Sequence, residues 1–287
     1  MIPGVDNDSL VYLNGELLPV RDAKISVLDR GFIFGDGVYD VVPAYGGKPL
    51  RMEAHLARLE RSMAAIGIQC ALTRTEWEGI VRDLIARSGL GDCIVYLQVT
   101  RGVAKRDHAF PQGVEPTVFA MVSPFKRPDA TLREQGLTAA GIPDERWLRC
   151  DIKSVSLLGN VLARQRAIDM GVDDVIQFRD GYLTEGSASN IWVIKDGVLM
   201  GPERGRLLLE GIRYGLMEEL ARECGVPFQE RRISEQEVAQ ADELLLTSAS
   251  KEVLPITRYN NAPVGEGRPG PIYARLRAAY DAVIATL

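Results

Sequence analysis

Histidine is scarce in this chain, and that scarcity excludes more chemistry than any other feature. His55 and His108 are the only two, so neither an HExxH site nor a multi-histidine metal centre can be assembled. A histidine-based triad would have to draw on one of that pair. Cysteine is also thin. Cys70, Cys93, Cys150 and Cys224 lie far apart with no CxxC spacing, which argues against a zinc ribbon or a disulfide framework and fits a reducing, cytoplasmic setting. No apolar run approaches the ~20 residues that cross a bilayer. The first twenty residues carry Asp6, Asp8 and Glu16 without a basic stretch, so no secretory signal is expected. Positive charge is in deficit, with 34 Lys and Arg against 39 Asp and Glu, and no basic block points to nucleic acid. What remains is proton chemistry on lysine and carboxylates, with a cofactor to carry the difficult step.

The 287 residues predict two domains at roughly 100–200 residues each. Pro124, Pro128 and several charges mark a change of composition at residues 123–135. That stretch is expected to be a linker between a smaller domain, 1–122, and a larger one, 136–287. In the first, Asn14-Gly15 between short apolar runs signals a hairpin, and residues 38–45, 93–101 and 117–122 read as strands. Leu56, Leu59, Met63 and Ile66 recur at helical spacing, and Thr73 with Glu76 forms a capping box ahead of a second helix. In the second, strands are expected near 137–141, 174–178, 189–194, 226–232, 243–246 and 253–259. Helices are expected at 157–170, 212–224 and from 272 onward. The mixture indicates an α+β fold.

Each motif that could carry chemistry also has an ordinary structural reading. Lys153 alone is a solvated surface charge; between Ile152 and Val155 it is instead partly desolvated, the condition under which an amine attacks a carbonyl. The glycines from Gly31 to Gly37 match neither GxGxxG nor a P-loop, and read as a turn into the next strand. Thr184-Glu185-Gly186-Ser187-Ala188-Ser189-Asn190 reads as a polar loop, or as a holder of one carboxylate against a ligand. Leu209-Glu210-Gly211-Ile212 enters a helix whose free N–H groups suit a phosphate, and Thr247-Ser248-Ala249-Ser250 leaves a strand in a comparable way.

Taken in order, these motifs become specific. Asp29 to Tyr39, Val99 to Gly102 with Arg106 and His108, Arg146 to Ser154, Thr184 to Ser187, Glu210 to Ile212 and Thr247-Ser248 together resemble the fold-type IV pyridoxal-phosphate enzymes. Among those they most resemble the bacterial D-amino acid aminotransferases. The likeness runs over nearly the whole chain. It implies a small N-terminal α/β domain, a larger C-terminal domain with a β-barrel-like core, pyridoxal 5'-phosphate as cofactor and a homodimer.

By the same resemblance Lys153 forms the Schiff base (aldimine) with the cofactor and shuttles the substrate proton, while Glu185 pairs with the pyridine nitrogen. Leu209 lies against the ring. Arg51 binds the phosphate with N–H groups at Gly211, Ile212, Ser248 and Ala249. Two hydroxyl positions of the family are occupied here by Arg213 and Ala249, which suggests that Arg213 supplies the phosphate with charge instead. Arg106 and His108 trap the substrate carboxylate across the dimer interface. Phe32 stands where that trap is expected to have a tyrosine, Tyr39 remains as an active-site phenol, and His55 is read as structural. The activity implied is ping-pong transamination from a D-amino acid such as D-alanine to a 2-oxo acid such as 2-oxoglutarate, giving pyruvate and D-glutamate. Rival readings on the same fold are a branched-chain L-amino acid aminotransferase, an R-selective amine transaminase and 4-amino-4-deoxychorismate lyase. A non-catalytic cofactor carrier is the rival from another class.

Overall fold

The structure, a computed structural model, describes residues 6–287. The chain divides into two compact units. The first comprises residues up to Lys126, the returning segment Ile152–Leu157 and Leu287; the second comprises Arg127–Asp151 and Leu158–Thr286. Residues 123–135 include the end of a strand that runs to Pro124 and a helix at Ala130–Gln135. The return of Ile152–Leu157 to the first unit was not anticipated. Ile152, 5% exposed, is part of that unit's apolar core.

In the first unit the elements are β1 (Leu10–Leu13), β2 (Glu16–Pro19), α1 (Arg30–Phe34), β3 (Gly37–Tyr45), β4 (Lys48–Pro49), α2 (Met52–Ala65), α3 (Arg74–Ser88), β5 (Cys93–Thr100) and β6 (Thr117–Pro124). The six strands form one antiparallel sheet, ordered β2-β1-β6-β5-β3-β4. Alternation builds its core face: Cys93, Val95, Leu97 and Val99 of β5 are all fully buried, as a period of two requires. Leu56, Leu59 and Met63 of α2 and Trp77, Val81 and Leu84 of α3 cover that face. The capping box that starts α3 is present. The glycine run holds a short helix rather than a bare turn. Asp29 caps α1 by accepting from the Gly31 amide, and its other oxygen accepts from the Thr100 and Thr117 hydroxyls at 3.0 and 2.6 Å. A Cβ on Gly31 would lie 2.3 Å from the Thr100 methyl, so only glycine fits beneath that helix.

The second unit contains α4 (Ala130–Gln135), β7 (Leu137–Pro143), α5 (Leu158–Asp169), β8 (Asp174–Arg179), β9 (Tyr182–Gly186), β10 (Asn190–Lys195), β11 (Val198–Gly201), α6 (Ile212–Glu223), β12 (Phe228–Glu230), α7 (Glu235–Ala239), β13 (Glu243–Ser248), β14 (Glu252–Tyr259), β15 (Ala262–Pro263) and α8 (Pro271–Ala285). Its main path runs β12-β11-β10-β13-β14-β7-β8-β9. Only Ser187, Ala188 and Ser189 join β9 back to β10. Five strand spacings amount to about 24 Å, beyond the roughly 14 Å that so short a link can span. The strands from β10 to β9 must therefore curl towards closure, which is the barrel-like core of an α+β fold. Leu137, Ile176, Ile191, Val193, Leu244, Leu246, Leu254 and Ile256 fill one of its faces. Among the described residues no helix is long and apolar enough to cross a membrane.

Candidate active site

In the first unit Lys153 is fixed through its backbone. Its N–H donates to Ser62 Oγ at 3.3 Å and its carbonyl accepts from the Tyr39 amide at 2.9 Å, while Ser154 bridges to Val38 on β3. The side chain is half-buried, with Nζ 4.3 Å from the centre of the Tyr39 ring. Tyr39 stacks in turn on Tyr96 at 5.5 Å. The amine thus sits over an aromatic face, where a cation is attracted and water is partly excluded.

The neighbouring position on β3 is Asp40, which is fully buried. Its carboxylate accepts from Arg58 Nε and Nη2 at 2.8 and 2.9 Å and meets His55 Nδ1 at 2.7 Å. Burial alone would push the Asp40 carboxyl up, but Arg58 and His55 outweigh it and hold the group far below the usual carboxylate range. His55, Arg58 and Ser62 follow one another at helical spacing on α2, and the last of them binds the Lys153 backbone. Arg58 is therefore a buried cation on the lysine's side of α2, and the sequence reading did not single it out. Its signal was present, since positions 55, 58 and 62 share the buried stripe of Leu59. Arg51 stands at the N-cap of the same helix, in a left-handed conformation with φ of 50°.

Arg106 and His108 come together on a ring. The Arg106 guanidinium lies 5.5 Å from the centre of Phe34 and the His108 ring 5.3 Å from it. Their loop is pinned by Arg30, which bonds the Asp107 carbonyl and, through Nε at 2.8 Å, Asp36. Arg101 adds two bonds to Asp36 and stacks 3.6 Å from the centre of Phe110. Phe32, on the same short helix as Phe34, is 69% exposed. Tyr39 is placed with Lys153 rather than with this pair.

In the second unit the centre is Glu185. The sequence reading put it in a loop; it lies on β9 and is buried. Its Oε2 accepts from the Leu209 amide at 2.7 Å, and its Oε1 meets Arg146. Arg146 is gripped by Asp144 through Nε and Nη2 at 2.9 and 2.8 Å. Burial opposes the arginine's charge, but Glu185 and Asp144 outweigh that and make it harder to deprotonate. Thr184 donates to Asp144 at 2.9 Å, so the polar residues of β9 answer a buried network instead of solvent. Burial pushes the thiol of Cys150, close by, up to about 11, the reverse of the shift that activates a cysteine.

Leu209 is held at both ends of its peptide, by Glu185 at the amide and by Asn190 Nδ2 at the carbonyl, 2.9 Å away. A Cβ on Gly211 would fall 2.2 Å from Asn190 Oδ1, so glycine is required where the strap turns into α6. That helix begins without a side-chain cap. Arg213 spans from its first turn to the Ala249 carbonyl at 3.4 Å, which sets the start of α6 beside the turn after β13. In that turn Ser248 Oγ accepts from the Lys251 amide, and Lys251 Nζ pairs with buried Asp174 at 2.9 Å. Asp174 also accepts from the Ser187 hydroxyl at 2.5 Å and the Ser189 hydroxyl at 3.3 Å. Thr247 uses its hydroxyl to accept from Trp192.

The features that a pyridoxal phosphate needs are thus present on this chain. The second unit carries a buried acid, an apolar residue held beside it and a helix start with N–H groups, and the first carries a lysine over an aromatic face, which are the kinds of group that pyridoxal phosphate takes up. The family Amino-transferase class IV matches residues 37–259, and the chain belongs to that family. It is 37% identical to a D-alanine aminotransferase of Staphylococcus haemolyticus over 275 residues, covering 96% of this chain and 97% of that protein. It is 36% identical to a D-alanine aminotransferase of Bacillus licheniformis, covering 94% and 95%. Among solved structures it is similar to the branched-chain amino acid aminotransferase of Escherichia coli, with a TM-score of 0.92, 25% identity and coverage of 96% and 95%. A fold IV-transaminase from Curtobacterium pusillum is similar at a TM-score of 0.82 and 26% identity, covering 94% and 93%.

Proposed function

We propose that this aminotransferase uses pyridoxal 5'-phosphate to move the amino group of a D-amino acid such as D-alanine to a 2-oxo acid such as 2-oxoglutarate, giving pyruvate and D-glutamate. The observation that carries the reading is the gathering of Arg106 and His108 on Phe34. A guanidinium fork beside an imidazole donor suits a carboxylate, which favours an amino acid over a simple amine. The D configuration is supported by the names of the relatives.

When bound, the cofactor supplies an electron sink for the charge that develops at the substrate Cα. Glu185, paired with Arg146, would hold the proton at the ring nitrogen. Lys153 would hold the cofactor through its amine, and the same amine would serve as the base that moves the proton from the substrate Cα. Leu209 would pack beside the ring and keep water from it. The N–H groups of Ile212 and Arg213 and the turn at Ser248 and Ala249 would hold the phosphate. The chain works as a homodimer, with Arg106 and His108 exposed for that assembly. Phe32 adds an apolar surface to the substrate side.

The test is an amino-donor panel on the purified enzyme. D-alanine is expected to bleach the cofactor's absorbance band and yield pyruvate, while L-leucine and an R-amine do neither. Faster turnover of L-leucine would replace the reading with that of a branched-chain enzyme. Lys153→Ala should abolish both the band's substrate response and turnover, and light scattering of the holoenzyme should return the mass of two chains.

A further inference from the structure

Residues 105–110, Arg106 and His108 among them, are all exposed and belong to neither helix nor strand. Main-chain bonds hold the start of this loop. The Arg30 amide donates to the Gly102 carbonyl at 2.9 Å, and the Ala104 amide to the Leu28 carbonyl at 3.3 Å. Beyond Ala104 the ties to the rest of the first unit are made by side chains. Arg30 Nη1 donates to the carbonyl of Asp107, midway between Arg106 and His108. The Arg101 guanidinium covers Phe110, 3.6 Å from the centre of its ring.

Both of these arginines converge on one carboxylate, that of Asp36. Its Oδ2 accepts from Arg30 Nε and from Arg101 Nε, each at 2.8 Å, and its Oδ1 accepts from Arg101 Nη2 at 2.9 Å. The three side chains are 13% exposed or less, so the charges meet with little water between them. Arg101 is anchored further by the Ile66 and Gly67 carbonyls beyond α2, at 2.8 and 3.3 Å. Arg30 lies 4.8 Å from the centre of Phe34, the same ring that Arg106 and His108 meet. Two cations on one ring repel each other. Asp36 cancels the charge of Arg30 and so lets Arg106 share the ring with it.

We propose that Asp36 is a positioning residue that sets the grip on the substrate carboxylate. By pairing with Arg30 and Arg101 at once it fixes Asp107 and Phe110, and with them the Arg106 guanidinium and the His108 ring. Without its charge two buried arginines face each other unpaired, and the loop they hold is released. The proposal rests on the reading of Arg106 and His108 as the carboxylate-binding pair.

The test uses the holoenzyme, with D-alanine as donor and propionate, which keeps the carboxylate but has no amine, as inhibitor. Asp36→Asn keeps the shape of the side chain and removes its charge. It is expected to raise KM for D-alanine and the inhibition constant of propionate by about tenfold each. Over the same change kcat should move by less than about twofold, and the dissociation constant of the cofactor should stay as it is. Arg101→Lys keeps the charge but loses the two-point grip and the planar stack on Phe110, and should move the same two constants in the same direction. In a chain that already carries Arg106→Ala and His108→Ala, Asp36→Asn should add less than about twofold, because its effect runs through that pair. An unchanged KM, an equal loss in kcat or in cofactor affinity, or a full further loss in the chain without the pair would overturn the positioning role. Should Asp36→Asn fail to fold, Arg101→Lys decides, alone and in the chain without the pair. Wild-type enzyme that propionate does not inhibit, and whose KM is unmoved by Arg106→Ala, would overturn the carboxylate-binding reading itself, an outcome distinct from a pair that works without Asp36.

Discussion

Each unit buries an arginine against an aspartate, and the two pairs are used in opposite senses. In the first unit Asp40 is an endpoint. It takes hydrogen bonds from Arg58 and His55 and fixes a cation on the Lys153 side of α2. In the second unit Asp144 grips Arg146, and the arginine then meets Glu185. There the aspartate steadies the cation and the cation steadies an acid. The same pair of residue types thus presents a positive group in one place and a negative group in the other. What distinguishes them is the third partner: a histidine beside Asp40 in the first unit, a second carboxylate beside Arg146 in the second.

The comparison is broken most severely by Arg58→Ala. It leaves Asp40 buried without its principal counter-charge, for which about 3–5 kcal/mol of stability is expected to go, lowering the thermal midpoint by on the order of 10 °C. A midpoint shift under about 2 °C in a melting experiment would mean that Asp40 is not held by this pair. Asp144→Asn should act more on chemistry than on folding. With Asp144 neutral, Arg146 is drawn more fully to Glu185, whose hold on the ring proton weakens, and kcat should fall by about tenfold. A kcat unchanged in steady-state assays would remove Asp144 from the chain of influence.

Acid provides a milder test of both clusters at once. Burial pushes the Asp40, Asp144 and Asp174 carboxyls up, but Arg58, Arg146 and Lys251 respectively outweigh it, so all three lie below their ordinary value. A depressed folded-state value contributes stability above the unfolded value near about 4, and that stability disappears as pH falls through the lower folded values. The thermal midpoint should stay level between about pH 7 and pH 5 and drop below about pH 4. A level midpoint to about pH 3 would count against both clusters. The smallest effect belongs to Phe32→Tyr, outside either cluster. At 69% exposure it should change stability by no more than about 0.5 kcal/mol, while KM for D-alanine falls if the new hydroxyl reaches the substrate carboxylate.

Much of the fold was legible because periodicity is local. The alternating β5, the stripe of α2 and the Thr73–Glu76 capping box all occupy the residues expected of them. What was not legible depends on distant partners. Thr184 and Glu185 carry no apolar alternation because their side chains face Arg146 and Asp144 inside the unit, so a buried strand reads as a polar loop. The five-residue α1 hides between glycines, and its cap on Asp29 is confirmed only by hydroxyls 71 and 88 residues away. The groups that hold Lys153, Glu185 and the Arg106–His108 loop in place were not legible, because they come from elsewhere in the chain.

The grouping of Ile152–Leu157 with the first unit has a consequence for how the protein is made. During synthesis from the N-terminus, the sheet of that unit can be complete once β6 has emerged, but Ile152 of its core and the Ser154 bridge to Val38 are still to come. A fragment ending at residue 126 would lack the lysine and leave a slot where Ile152 packs. The first unit therefore completes its core only after residues 127–151 of the second have been made, and Lys153 is among the last pieces to reach it.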